Sequence, residues 1–539
     1  MKNNYVSKNI DHLGLVSGMI DELGLVSYLD SCLEEGSKNR AVSYGTLCKA
    51  LILNGLGFSQ RTLYLVPKFF EDKAISHLLG SDIDASQLND TNLGRCLDAI
   101  WAYGCTSLYG NFAPQVCSLL GLKGKSCHMD STDFHVEGKY NSSLSEVEEN
   151  VIHVRRGYSR DHRPDCNQVV LNLIVENQAG IALHMEGLSG NTSDKTAFKN
   201  TLSTHIGALQ NVHHFDYVVM DSAGYTEASL KASGETIKWI SRVPETLKEA
   251  QEAVGKRYDT WHFLAQGYEY VALESQYGEV AQRWLLVFSQ AAYQREMETL
   301  INSYQQKSLN EMLLFEKLCK KSFECEKDAQ QAQKDFLKSC KYIAINDLSI
   351  RKVGTYLKKG KPKKGQEPDK YHFYLQGTAY CNKADFEKKA QTKGRFILAT
   401  NEMDKLKLSD NQILTEYKGQ AKVEKGFRFL KDPQFVASSF FVKKPQRVEA
   451  LLFIMTLCLT VYAAIEYRIR QQLVLNNQSF PNQVGKDVQN PTARWIFAAF
   501  AGIHYLKMEH MHFILNLNPK QISIIDLLGN LYRKYYFLE

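Results

Sequence analysis

Several familiar catalytic signatures are missing from this 539-residue sequence: it holds no GxSxG elbow and no HExxH pair. Serine-hydrolase and zinc-peptidase chemistries of those types therefore have no carrier. The stretch GLKGKS (121–126) ends like a phosphate-binding loop, but that motif requires glycine where Leu119 stands, and the run precedes a strand-like segment instead of following one. None of the 12 cysteines forms a CxxC pair or stands at zinc-finger spacing from histidines, so they read as scattered, reduced thiols of a cytoplasmic protein. Nor is either sign of charge in large excess: 65 Lys+Arg against 59 Asp+Glu leave +6, so any nucleic-acid surface must come from local clustering. The opening residues MKNNYVSKNIDHLG lack the apolar segment of a secretory signal. The longest apolar run, Ala450 to Ile465, falls just short of a bilayer span and lies between Glu449 and Glu466; it reads as a buried core helix, with no membrane segment expected.

What is present is an ordinary globular composition, 44% hydrophobic and 23% charged, long enough for roughly two to four domains. No internal repeat or low-complexity tract is evident. Residues 1–122 show helical apolar spacing, as in SYGTLCKALILNGLG, and predict an all-helical N-terminal domain. Residues 123–245 change to short β-rich runs (KSCHMDSTDFHV, QVVLNLIVEN, GIALHMEGL, FDYVVMDSA, IKWISRVP) interleaved with helical segments, the pattern of a mixed α/β sheet. Residues 246–391 interrupt it with a hairpin-like pair and a long polar helical stretch, as a separately folding insertion would. Residues 392–475 return to α/β style, with a strand at GRFILATN and helices over 408–432 and 445–472, and residues 476–539 read as a helical C-terminal segment.

The carboxylates are more informative than the missing motifs. Asp130, in CHMDSTDFHV, and Asp221, in DYVVMDSAG, each fall inside or at the end of an apolar strand, where a charge is costly unless compensated. A divalent cation held by oxygen ligands is one compensation, and capping of a local turn is another. A third acid, Glu424, stands among basic residues in YKGQAKVEKGFRFLKD (417–432). On a continuous helix Tyr417, Glu424 and Lys431, spaced by sevens, share one stripe, while Val423, Phe427 and Leu430 form an apolar one. Gly419 and Gly426 are unfavourable in a helix interior and are easier to understand if another group approaches closely. Taken alone, Glu424 reads more simply as half of an exposed pair with Arg428 on an amphipathic helix.

The order and wording of these stretches resemble the bacterial insertion-sequence transposases with an RNase H-like DDE catalytic domain, in the branch whose third acid lies in a Tyr-x2-Arg-x3-Glu-x6-Lys signature. Tyr417, Glu424 and Lys431 match in register, whereas Gln420 stands where the signature has arginine. GYSRDHRPDCNQVVLNLIVE (157–176), GNTSDK (190–195), WISRVP (239–244) and KKPQRVEALLFI (443–454) are similar to further family stretches, and the likeness runs to near residue 530.

The resemblance implies an α/β RNase H-like core with a mixed five-stranded sheet, interrupted by the insertion and preceded by a helical domain that binds DNA ends. It implies that Asp130, Asp221 and Glu424 are the catalytic acids and ligands of two Mg²⁺ ions, with Mn²⁺ as a possible substitute. No organic cofactor is expected. Double-stranded DNA, both terminal inverted repeats and target, is the implied partner, handled by a homodimer that cuts and joins it. Tyr417, Gln420 and Lys431 would face scissile-strand phosphates, and Arg428 or Lys422 would stand in for the missing arginine. Arg160 and Arg163, in RDHRPD, read either as DNA-facing or as a turn salt-bridged to Asp161 and Asp165. Trp239, Trp261 and Trp284 are candidates for stacking on a flipped base or for ordinary core packing. The lysine-rich loop 358–364 reads either as a phosphate-tracking patch or as a solvated linker. Asp194 reads as a first-turn residue after a Thr192 or Ser193 cap and not as a fourth ligand. A non-catalytic DNA-binding descendant and a nuclease without strand transfer are the alternative functions.

Overall fold

The structure, a computed structural model, describes residues 5–33, 42–58, 65–80, 82–136, 151–159, 163–234, 236–357, 365–432, 442–509 and 511–538. The chain divides into two compact units, one of residues 1–242, 275–282 and 400–539, the other of residues 243–274 and 283–399.

The first unit is built around five strands: β1 (Ser126–Val136), β2 (Asn167–Glu176), β3 (Ala182–Ser189), β4 (Tyr217–Met220) and β5 (Lys238–Arg242). They pair in the order β3-β2-β1-β4-β5. β2 runs antiparallel to β1 and β3, whereas β4 and β5 run parallel to β1. Helices α1 (Asp194–Thr204) and α2 (Ile206–His213) lie between β3 and β4 in sequence. Ser193 caps α1 by accepting from the Thr196 amide, and Asp194 occupies its first turn, as the GNTSD stretch suggests. Further along come α3 (Asp410–Lys418), α4 (Ala421–Leu430) and the long α5 (Pro445–Leu475).

The apolar stretch expected to form a buried helix lies in α5. This helix is long and apolar enough to cross a membrane, yet 89% of its most apolar window is buried inside the protein. Polar pairs orient it: the Arg447 guanidinium forks onto Asp98 at 2.7 Å through two nitrogens, and the Tyr109 and Thr460 hydroxyls meet at 2.7 Å.

Two expectations are corrected at the chain's ends. Residues 1–122 are not all helical, because Tyr5–Asn9 forms a strand that pairs antiparallel with His504–Met508. The C-terminal segment is not all helical either: His504–Met508 and Met511–Leu515 form a hairpin whose turn includes Glu509 in the left-handed region at φ 53°. Helical periodicity misses both because strands of only five residues present one short face each. Nearby, the final helix (Asn530–Tyr536) docks on the first (Leu13–Glu22), where Asp21 accepts from Tyr535 Oη at 2.6 Å and from Lys49 Nζ at 2.8 Å.

The second unit pairs strands Arg395–Thr400, Gln282–Ser289, Tyr268–Ser275 and His262–Ala265 in that order. The long polar helical stretch consists of two helices, Gln290–Lys320 and Glu326–Ser339, separated by residues 321–325. Phe323 between them is buried with Ala329 and Leu375. An antiparallel hairpin, Ile343–Thr355 with Lys370–Cys381, follows. Glu311 holds its start, accepting from the amides of Lys341, Tyr342 and Ile343 at 2.8–3.2 Å. The lysine-rich loop 358–364 lies outside the described residues.

His12, at the start of the first helix, is buried against Phe497 at 4.4 Å between ring centroids and donates through Nε2 to the Leu56 carbonyl at 2.8 Å. Burial pushes its pKa down to about 4, only partly offset by that carbonyl. The folded value therefore lies below the ordinary 6.5, so its contribution to stability is intact above pH 6.5 and lost as pH falls toward 4. The urea midpoint is expected to drop over that window by the equivalent of on the order of 2–3 kcal/mol, and to drop measurably less in His12→Gln.

Candidate active site

Three parallel strands bring the first two acids together. Met129 on β1 stands in register with Met220 on β4, and Met220 with Ser241 on β5. The next residue on each strand is Asp130, Asp221 and Arg242, so two acids and a guanidinium occupy one level across neighbouring strands. Asp130 lies within β1 rather than at its end, but at the point where parallel pairing with β4 stops. It is only 9% exposed, and its Oδ1 accepts from the Ser131 amide at 2.8 Å. Asp221, just past β4, closes a turn through Oδ1, which accepts from the amides of Ala223 at 2.9 Å and Gly224 at 3.3 Å. The turn-cap reading of Asp221 is thus true as local structure and leaves its chemistry open.

Glu424 arrives on α4. Val423, Phe427 and Leu430 are buried, which fixes the rotation of the helix and leaves Glu424 exposed on another face. Among the described residues it has no ion pair, and the Glu424–Arg428 pair does not form; Arg428 is exposed one turn on. The hydroxyl of Tyr417 links the parts. Burial raises its pKa, the Arg242 guanidinium lowers it by charge and by a hydrogen bond to the hydroxyl, and the charges of Asp221 and Glu424 raise it. Arg242, Asp221 and Glu424 therefore all act on the Tyr417 hydroxyl. Sequence reasoning passed over Arg242; its signal was the WISR run, a buried strand ending in a cation.

The donor set is three carboxylates with no thiol or imidazole, which suits a hard, oxygen-seeking ion such as Mg²⁺. Their oxygens do not all gather within 4.8 Å, so they do not form a cage around a single ion.

The helix expected over 408–432 is broken. Between α3 and α4 the amides of Gln420, Lys422 and Val423 bond three residues back, to Tyr417, Gly419 and Gln420, at 3.0–3.1 Å, a tightened turn. Tyr417 and Glu424 consequently sit on different helices, and their seven-residue spacing is not a continuous stripe. Gly419 is where this junction meets β1: a Cβ there would lie 2.8 Å from His128 Nε2. Gly426 needs no such account, since a Cβ there would meet Leu459 at an ordinary 3.4 Å.

Several residues expected to face DNA make contacts within the protein. Gln420 is 7% exposed with its Oε1 unpartnered, because the tightened turn carries it inward. Lys422 donates to the carbonyls of Asn177 and Gln178, and burial lowers its pKa. Lys431, which caps α4, brings its ammonium to 3.5 Å from Asp133 Oδ1, on the same strand as Asp130. Arg163 forks onto Asp165 at 3.0 Å and holds that carboxyl down near 2, which is the salt-bridged turn reading. Arg160 lies outside the described residues. Trp239, on β5, is 0% exposed and stands edge-on to Tyr225, so it presents no face for a base. In the second unit Trp284 is buried, and Trp261 has the Arg395 guanidinium over its ring at 5.2 Å.

Oxygen donors just beyond the carboxyl end of a parallel pairing, where the strand order reverses, suit a binding site of the open α/β type. A family model for the Transposase DDE domain matches residues 127–461, more than half of the chain, and the chain belongs to that family. Ahead of it, residues 5–114 match a family described as Domain of unknown function (DUF4277). No curated protein matches the sequence. A solved structure, the cryo-EM structure of a piggyBac transposase synaptic complex with hairpin DNA, is similar over 98% of this chain and 82% of that one at 7% identity. Its TM-score of 0.38 is too low to carry an argument.

Gly419→Val is expected to cost about 1–3 kcal/mol of stability, since a branched side chain must displace His128 or the α3–α4 junction. Gly426→Ala is expected to be neutral or stabilising. Chemical denaturation of both variants checks the contrast.

Proposed function

We propose that this transposase-family chain serves a bacterial insertion sequence, binding its terminal inverted repeats and cutting and joining DNA with Asp130, Asp221 and Glu424 as the catalytic acids. The observation that carries this reading is the level shared by Asp130 and Asp221 on adjacent parallel strands, with Glu424 brought into electrostatic reach through Tyr417. The strand order β3-β2-β1-β4-β5, with β2 alone reversed between its neighbours, supports an RNase H-like core.

The three carboxylates would hold Mg²⁺, or Mn²⁺ in its place, and their separation suits ligands shared between two ions better than ligands of one. When bound, such ions activate an attacking oxygen and stabilise a leaving one. The chain's own groups do the rest. Asp221 is aimed by the Ala223 and Gly224 amides, and Arg242, with Tyr417 against it, offers a cation beside the acids for a scissile phosphate. It thereby supplies the charge that Gln420 cannot. Arg428, exposed on the Glu424 helix, is a second phosphate-positioning group. A homodimer pairing two ends completes the proposal.

The test uses the purified full chain, a labelled duplex carrying the element's end, and Mg²⁺ or EDTA. Asp130→Ala, Asp221→Ala and Glu424→Ala should each keep end binding while losing cleavage and joining by at least ~10²-fold. Cleavage that survives any of the three substitutions, or the chelator, overturns the assignment. Binding by the unaltered chain without cleavage points to a non-catalytic descendant, and cleavage without joining to a second DNA points to a simple nuclease.

A further inference from the structure

Outside the acids just described, the first unit gathers a second and chemically different set of donors. His184 and Glu186 lie two residues apart on β3, so the alternation of a strand puts both on one face. His205 stands at the corner between α1 and α2, as the last cap of one helix and the first of the next. One ligand atom from each of these three side chains lies within 4.8 Å of the other two. Among the described residues no other trio of histidine, cysteine or acidic side chains meets that spacing.

An independent observation points to a ligand. His184 is only 4% exposed, yet its Nε2 has no hydrogen-bond partner. Buried polar atoms are nearly always satisfied, and an orphaned imidazole nitrogen beside two other donors is an uncommon arrangement without a bound group. The rings of His184 and His205 stand 4.6 Å apart, and among the described residues no hydrogen bond joins Glu186 to either histidine, although the charge of His205 acts on it. Glu186 is instead hydrogen-bonded by the Asn172 side chain, whose amide nitrogen also donates to Thr201 Oγ1 at 2.8 Å. A carboxylate held by such a neighbour is oriented as outer partners orient metal ligands. The charge of Glu186 also reaches Glu449, which accepts from the Trp101 indole at 3.1 Å.

We infer that His184, Glu186 and His205 form a binding site for one zinc-class divalent ion that ties edge strand β3 to the α1–α2 corner. Two imidazoles and one carboxylate are the donors of Zn²⁺, at about 2.0–2.2 Å each, and leave a fourth position for water. Closure from 4.8 Å onto bonds of that length requires small side-chain adjustments. The two sites differ in donor chemistry: imidazole nitrogen selects zinc-class ions, whereas the all-oxygen set of Asp130, Asp221 and Glu424 selects magnesium-class ions. The inference stands whether or not those acids catalyse DNA joining.

The test is a titration of the chelator-stripped full chain with Zn²⁺ against a chromophoric competitor, in an Asp130→Ala background that removes the acids as a competing site. One Zn²⁺ per chain is expected, undiminished by excess Mg²⁺. Binding is lost in His205→Ala and in Glu186→Gln, and weakened about 10–100-fold in Asn172→Ala. Zn²⁺ should raise the melting temperature of the Asp130→Ala chain and leave that of its Glu186→Gln derivative unchanged. Glu186→Gln preserves shape, so a folding failure of His205→Ala leaves the test intact. Absence of bound Zn²⁺, or a stoichiometry of one that persists in Glu186→Gln, overturns the inference.

Discussion

The arrangement at the heart of this protein depends on one constraint, the parallel register that sets Met129, Met220 and Ser241 side by side. Hydrogen-bonded strands cannot slip by one residue without turning every side chain to the opposite face of the sheet. Fixing that register by the apolar runs of β1, β4 and β5 therefore fixes Asp130, Asp221 and Arg242 at one level just beyond it. The cost of placing carboxylates there is offset locally, by the Ser131 amide at Asp130 and by the Ala223 and Gly224 amides at Asp221.

The third acid depends on a different device. Helix α4 is oriented by the burial of Val423, Phe427 and Leu430, and the α3–α4 junction is seated on β1 by the close approach of Gly419 to His128. Around that junction Ser126 and Asn177 donate to Glu416 while Lys422 caps the carbonyls of Asn177 and Gln178, so β1, the β2–β3 turn and α3–α4 share one polar seam. The tightened turn that makes this seating possible also draws Gln420 inward, which explains why a neutral side chain is tolerated there. The guanidinium beside Tyr417 is that of Arg242, which lies on the sheet and not on the helix.

Much of this was legible in the sequence. The apolar strands around Asp130 and Asp221 and the buried α5 each announce themselves by period and composition, and the apolar spacing of Val423, Phe427 and Leu430 fixes which face of α4 is buried. Short edge strands were not legible: Tyr5–Asn9 finds its partner roughly 500 residues away, and no local pattern encodes such a pairing. The break at Gly419–Gln420 was hidden because both residues keep right-handed helical backbone angles. For Trp239 the sequence allowed base stacking or core packing, and only the packing of β5 against Tyr225 shows it to be buried.

By itself the sequence determined which side chains can do chemistry and in what order they come, because strand alternation, helix period and the spacing of acids are properties of a chain segment. Only the tertiary structure decided which of them meet. The pairing of Arg242 with Tyr417, the burial of Gln420, the capture of Arg163 by Asp165 and the convergence of His184, Glu186 and His205 all arise from strand register and helix packing. Those are long-range contacts, and their outcome depends on which surfaces exclude water together, which no single segment specifies.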